Sequence, residues 1–310
     1  MALPFHAYRL DIIFIIALIC GFTLPEGLLI GRMIILPALM IIIIVTSLRF
    51  PRGFFRHPAS LFYSSLRGNL MNYLVLGNFI LLTSASLIQK QELWIGMVLV
   101  AAMPSSLEII LLGDLLRIEK NYVFTSVAGT YLGALLIVPL VGLCFFKYLH
   151  LNYWNIIVLI LCLIVLPLVI SRLAIEKEWD ETIKKHEETA LDYCYFIVFY
   201  AITANSRNFL LNLSSDLLII ALIAFTGTFA FYFVIRRIGV YFRGQENKIN
   251  FFILLGTMKD CGLAGGIALT LFNQEVAVPS LIFAVSTFIY MNWLRFKTKH
   301  LNGSNNSQII

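Results

Sequence analysis

MPSSLEIILLGD, residues 103 to 114, interrupts one of the most apolar regions of this chain. The run WIGMVLVAA, 94 to 102, precedes it, and the sequence stays apolar through Leu116. Pro104 removes a backbone donor and clashes with the preceding turn, so a helix breaks or kinks there. Ser105-Ser106-Leu107-Glu108 then fits a capping box, in which serine and glutamate satisfy the freed amides of a restarting helix. Two readings of Glu108 stay open. It caps, or it is a proton or cation partner at a site faced by the positive end of the restarted helix. An ionisable group at membrane depth costs roughly 2.5–3.5 kcal/mol on insertion scales. A Thr or Asn cap would do the same work at lower cost.

The membrane setting follows from composition. Of 310 residues, 60% are hydrophobic and 13% charged, with a mean hydropathy of +0.88. Soluble domains carry roughly 25% charged residues. Apolar runs of about 18 residues or more recur along the whole length, which marks membrane helices and excludes a soluble two-domain protein. The net charge of +6 lies in short loops, where it reports orientation and not nucleic-acid binding. Cys20, Cys144, Cys162, Cys194 and Cys261 lie in apolar segments with no CxxC pair, as small core residues do. His6, His57, His150, His186 and His300 fall in expected loops or termini, so no buried histidine serves a nucleophile. No HExxH, DxxD pair or phosphate-cradling glycine loop occurs. We expect no enzyme activity, no cofactor and no metal. Arg9 before the apolar run 11–23 resembles a signal peptide, but Pro25-Glu26-Gly27 follow it in place of a cleavage site, so the run reads as a retained first span.

Ten spans can be drawn, at about 11–28, 31–49, 68–88, 92–116, 121–146, 153–173, 190–206, 216–238, 249–273 and 276–294. Segment 53–67 reads as lying along the membrane surface and 176–189 as a solvated helical extension or loop. With both termini cytoplasmic, 18 of the 23 Lys and Arg fall inside and 4 outside. A miscounted span would scramble that alternation. Arg295 counts among the inner loop cations, and Lys259 is left within span 9.

Ten spans divide into five plus five, so the second half enters with inverted topology. Residues 1–150 form the first repeat, 151–296 the second, and 297–310 a disordered cytoplasmic tail. Span 4 is interrupted near Ser105 and span 9 near Asp260, within GTMKDCGLAGG (256–266), an offset of about 155 residues. Paired interruptions at corresponding positions point to the substrate site of a transporter, here including Asn72, Ser105, Ser106, Glu108, Thr257, Lys259 and Asp260, with Pro104 and Gly262 at the breaks. Lys259 is too deep to reach either surface and needs a partner or water. It forms a static pair with Asp260 or Glu108, or binds or titrates during transport, or lies in a wet crevice. Asp260 also suits an N-cap of the half-helix starting at Cys261, and Gly262, Gly265 and Gly266 would let another helix approach closely.

At the two breaks the chain resembles the bile acid:sodium symporter family. GMVLVAAMPSS (96–106) is similar to the family's fourth-span turn and DLLRIE (114–119) falls on the stretch after it. Lys259-Asp260-Cys261-Gly262-Leu263-Ala264 occupies the place of the ninth-span Gln-Asn-Ser-Gly-Leu-Ala core, and FRHPASL (55–61) is similar to the loop before the third span. The resemblance implies a panel of spans 1, 2, 6 and 7 and a core of spans 3–5 and 8–10. Spans 4 and 9 would be unwound and crossing, with an organic anion bound between panel and core. The sodium ligands depart from the pattern. Leu255, Lys259, Ile110, Val123 and Val127 stand where the family has polar groups, and Asn72 matches in part. Sodium coupling is therefore doubtful, a fixed Lys259 ammonium could supply the missing charge, and protons become candidate partners.

The expected function is secondary transport of a small organic anion in a bacterial inner membrane. A cation/proton antiporter using Lys259, Asp260 and Glu108 and a non-transporting membrane protein that kept the fold are the alternatives.

Overall fold

The computed structural model describes residues 6–24, 28–48, 58–116, 118–145, 158–159, 161–212 and 214–306, and the described residues contain no strand. The chain opens with α1 (His6–Thr23) and α2 (Leu28–Ser47). Next comes a continuous helical stretch, α3 (Pro58–Asn69), a π turn (Leu70–Gly77) and α4 (Asn78–Leu87). Residues 58–67 thus belong to the continuous helical stretch that contains the candidate span Tyr63–Leu87 and do not form a separate segment; 53–57 lie outside the described residues. The break predicted around Pro104 separates α5 (Gln91–Ala102) from α6 (Ile109–Leu115), and α7 (Lys120–Phe145) follows.

The second half has a similar succession of elements. A π turn (Leu161–Val165) runs into α8 (Leu166–Glu176), and α9 spans Asp180–Leu211, so 180–189 is the helical extension that its charge pattern suggested. Then come α10 (Ser215–Phe225), a π turn (Thr226–Ala230) and α11 (Phe231–Tyr241). The second break separates α12 (Glu246–Leu255) from α13 (Cys261–Leu271), and α14 is Gln274–Asn306. This last helix continues through most of the tail expected to be disordered; 307–310 lie outside the described residues. Matching elements keep the half-chain offset: Leu70 and Thr226 start the π turns, Gln91 and Glu246 the first half-helices, Lys120 and Gln274 the helices after each break.

Four helical stretches are long and apolar enough to cross a membrane: Tyr63–Leu87, Lys120–Phe145, Ser215–Tyr241 and Gln274–Thr298. Met33–Ser47, Gln91–Ala102 and Cys261–Leu271 are shorter apolar helices, the last two because the breaks cut them. On α7, Leu132, Leu136, Leu140 and Leu143 are all exposed, at spacings that place them on one helix face. An apolar stripe of that length turned outward is normal against lipid and costly against water.

Packing sorts the helices into two groups. In one, α1 packs on α9, α9 on α2, and α2 on α8. In the other, α3 packs on α7, α4 on α5, and α14 on α5, α10 and α13. The groups meet where α9 lies on α13 and α14 and where α2 lies on α13. Gly265 permits that approach, since a Cβ there would lie 2.5 Å from Ile202 Cδ1 of α9 and 2.6 Å from Ser280 Oγ of α14. Gly262 has ordinary room, its nearest neighbour at 3.5 Å, so the close approach expected of all three glycines does not depend on it.

Candidate functional site

A helix that stops inside an apolar medium leaves its last carbonyls without partners. The two breaks solve this for each other by crossing. Ser105 and Lys259 form an antiparallel bridge. The Asp260 N–H donates to the Pro104 carbonyl (2.9 Å) and the Ser106 N–H to the Met258 carbonyl (3.4 Å). The expectation that the chain breaks near Ser105 and near Asp260, and that the two breaks cross, therefore holds.

Lys259 is 2% exposed, and its Nζ donates to the carbonyls of Ala101 (2.7 Å) and Met103 (2.9 Å) at the end of α5. The ammonium also lies over the Tyr73 ring, 4.7 Å from its centre. A cation at a helix C-terminus is favoured by the helix dipole, and carbonyls and an aromatic face replace part of its hydration. Of the three fates considered for Lys259, the static pair is not formed: among the described residues no ion pair joins it to Asp260 or Glu108. The side chain turns across the crossing and away from both carboxylates. Asn72, in the first π turn, donates to the same Met103 carbonyl (3.0 Å), so the structure brings Asn72 and Lys259 together on one acceptor. Asn72 Oδ1 and Ser105 Oγ are buried beside them without hydrogen-bond partners among the described residues.

The capping box does not form. The helix restarts at Ile109, four residues after Ser105, and Glu108 stands at the N-cap position with no capping bond from its side chain. Ser105 N–H donates instead to Thr130 Oγ1 (3.2 Å). Ser106 Oγ accepts from the Glu108 N–H (3.3 Å) and donates to Glu108 Oε2 (3.3 Å). Backbone pairing across the crossing has taken the residues that a local cap would use. Asp260, by contrast, caps as expected, with Oδ1 accepting from the Leu263 N–H (2.9 Å). Its Oδ2 accepts from the Tyr131 hydroxyl. Thr257 is not part of this arrangement: its hydroxyl donates to the Ile253 carbonyl (2.7 Å) and faces Tyr290.

A narrow cleft lies between the two helix groups directly at the crossing. From α1, α2 and α9 come Asp11, Phe14, Leu39 and Phe199; from the other group come Ser106, Glu108, Asp260 and Phe288. Three carboxylates therefore line it. Asp11 is paired with Arg295, both partners under a tenth exposed. Arg295 is thus a buried residue of α14 and not the inner loop cation its position suggested. Glu108 and Asp260 remain as acidic groups of the cleft wall.

Sequence reasoning missed Tyr73, Tyr131 and the Asp11–Arg295 pair. Asp11 carried a usable signal, a lone carboxylate at the start of the run IIFIIALI. The tyrosines carried none, since an aromatic residue in an apolar helix reads as core. Cys194 and Cys261 are buried as expected, while Cys144 and Cys162 are exposed. His186 lies within α9 and not in a loop. Among the described residues no three His, Cys, Asp or Glu gather as a metal site would need. No protein-family model matches the chain, and no curated protein matches it.

Proposed function

We propose that this chain is a secondary transporter that carries a small organic anion by alternating access, coupled to protons and not to sodium. One observation carries the reading. Two chain breaks cross at a cleft between two helix groups, with Glu108 and Asp260 facing the cleft and a lysine ammonium held among the backbone carbonyls. Elements recurring at a half-chain offset fit a pair of inverted five-span repeats, an architecture that places substrate at discontinuous helices. The motif resemblance to bile acid:sodium symporters supports the same panel-and-core arrangement, in a bacterial inner membrane with both termini cytoplasmic.

The choice of coupling ion follows from charge. Sodium requires several oxygen ligands, and the Ala101 and Met103 carbonyls already hold an ammonium. Lys259 thus supplies a built-in cation. An organic anion entering the cleft meets Glu108 and Asp260, whose ionised forms repel it. Protonating one of them removes that repulsion, so proton and anion bind together and cross together. Phe14, Phe199 and Phe288 offer apolar walls for the carbon body of the anion.

The same two carboxylates support a second reading, cation/proton antiport, in which a cation and protons compete for Glu108 and Asp260. Proteoliposomes with an imposed pH gradient separate the two. Anion–proton symport predicts proton uptake only when a transported carboxylate is added, with equal rates in sodium and potassium. Antiport predicts that sodium or potassium alone collapses the gradient. To find the carboxylate, bile acids, keto acids and simpler carboxylates are screened by thermal shift in both salts. A saturating ligand at a hundredfold excess over its Kd stabilises by about 2.7 kcal/mol. Stabilisation by sodium itself would overturn the assignment of Lys259 as the resident cation. A Lys259→Gln protein that moves substrate normally at every pH would do the same.

A further inference from the structure

Asp11 lines the cleft and pairs with Arg295, which lies 284 positions away on α14 and sits behind that wall. Their side chains are 8% and 4% exposed, whereas the other ion pairs between described residues are more open to solvent. The pair differs from its neighbour on α1. Arg9 binds Glu188 (2.8 Å) and Asp192, both on α9, so that contact stays inside one helix group. Asp11 on α1 and Arg295 on α14 belong to different groups.

Movement of one group against the other must separate these two charges. Separation strands both in a buried site, and a stranded buried charge is far more costly than the intact pair. The guanidinium has a planar fork of donors that fits any carboxylate. From this geometry we infer that Arg295 is the residue that receives the carboxylate of the transported anion, and that Asp11 is its internal stand-in. With the cleft empty, Asp11 holds Arg295 and latches the two groups together. An incoming carboxylate takes its place on Arg295, the released Asp11 takes up the coupled proton, and the groups separate with neither charge stranded. The latch therefore opens for a carboxylate and not for a neutral molecule of the same shape. This rests on the organic-anion reading above and narrows it to carboxylates.

The test uses the full-length protein in detergent, as wild type, Asp11→Asn, Arg295→Gln and the double variant. The double variant removes both buried charges together and so avoids the unpaired charge that could prevent Arg295→Gln from folding. Ligand affinity is read by thermal shift with acetate, benzoate and cholate, with benzamide as the neutral control. Latch opening is read by the rate at which N-ethylmaleimide labels Cys261, a buried residue of the cleft, resolved by peptide mass spectrometry. We expect at least one carboxylate, and not benzamide, to stabilise the wild type. Asp11→Asn, which removes the competitor, tightens that binding about tenfold. Arg295→Gln and the double variant lose it. Asp11→Asn and the double variant label at Cys261 several times faster than wild type.

Undiminished carboxylate binding in the double variant overturns the role of Arg295 while leaving the anion reading intact. Equal affinity and equal labelling in wild type and Asp11→Asn overturn the latch. No carboxylate binding in either of those proteins removes the anion reading, and the carboxylate exchange with it.

Discussion

Lys259 answers two needs with one atom. Its Nζ satisfies carbonyls that the break after Ala102 leaves exposed, and it places positive charge at the negative end of α5. Lys259→Met keeps the length and apolar stem of the side chain and removes the donor. The Ala101 carbonyl then loses its ammonium partner while the Met103 carbonyl keeps Asn72, and an unsatisfied buried group costs about 1–3 kcal/mol. The expected outcome is a clear fall in melting temperature, smaller for Lys259→Gln, which can still donate. Equal melting of wild type and the methionine variant would show that the ammonium contributes nothing to holding the crossing. That Lys259 is buried was legible from its place within an apolar stretch. Its orientation was not, because Asp260 and Glu108 were obvious partners and backbone carbonyls of another helix leave no trace in sequence.

At the scale of elements, each break is made twice over. Pro104 ends α5 by covalent geometry, and Asp260 starts α13 with a side-chain cap. Both signals are local, and both were readable. The Ser105–Glu108 capping box was also a local signal, and it failed. Ser105 and Ser106 hydrogen-bond through their backbones to Thr130 and Met258, so the helix cannot restart until Ile109. A tertiary contact outcompeted a local cap because a buried strand-like crossing must satisfy its own amides first. Helix approach gives a second test at this scale. Gly265→Ala brings a methyl against Ile202 and Ser280, and overpacking of this kind costs about 1–3 kcal/mol. Ile202→Ala made in addition should restore part of the loss, measured as recovery of melting temperature in the double variant. Additive losses would show that α9 does not seat on α13 through this contact.

Across the whole molecule, the outward face matters as much as the site. Leu136 is 70% exposed in the middle of α7, on the leucine stripe that runs along it. In water such a stripe would favour aggregation; in a bilayer it is the required surface. Leu136→Arg should reduce the membrane-integrated yield strongly, at a cost of about 2.5–3.5 kcal/mol near the bilayer centre, while Leu136→Phe should not. Fractionation of expressing cells measures this, and equal membrane yields for the two variants would place that face away from lipid.

Composition and hydropathy determined that this chain is helical, with helices long and apolar enough to cross a membrane, where a bilayer leaves backbone groups no partner except those within a helix. Proline, the capping aspartate and the half-chain offset determined where helices break. Which charges meet was decided only by the tertiary structure. Asp11 found Arg295 across nearly the full length of the chain, Lys259 turned from its adjacent aspartate to the carbonyls of α5, and Tyr131 came to Asp260. The physical reason is that apolar periodicity and backbone breaks act over a few residues, whereas a buried charge is matched by whatever group the packed helices bring to it.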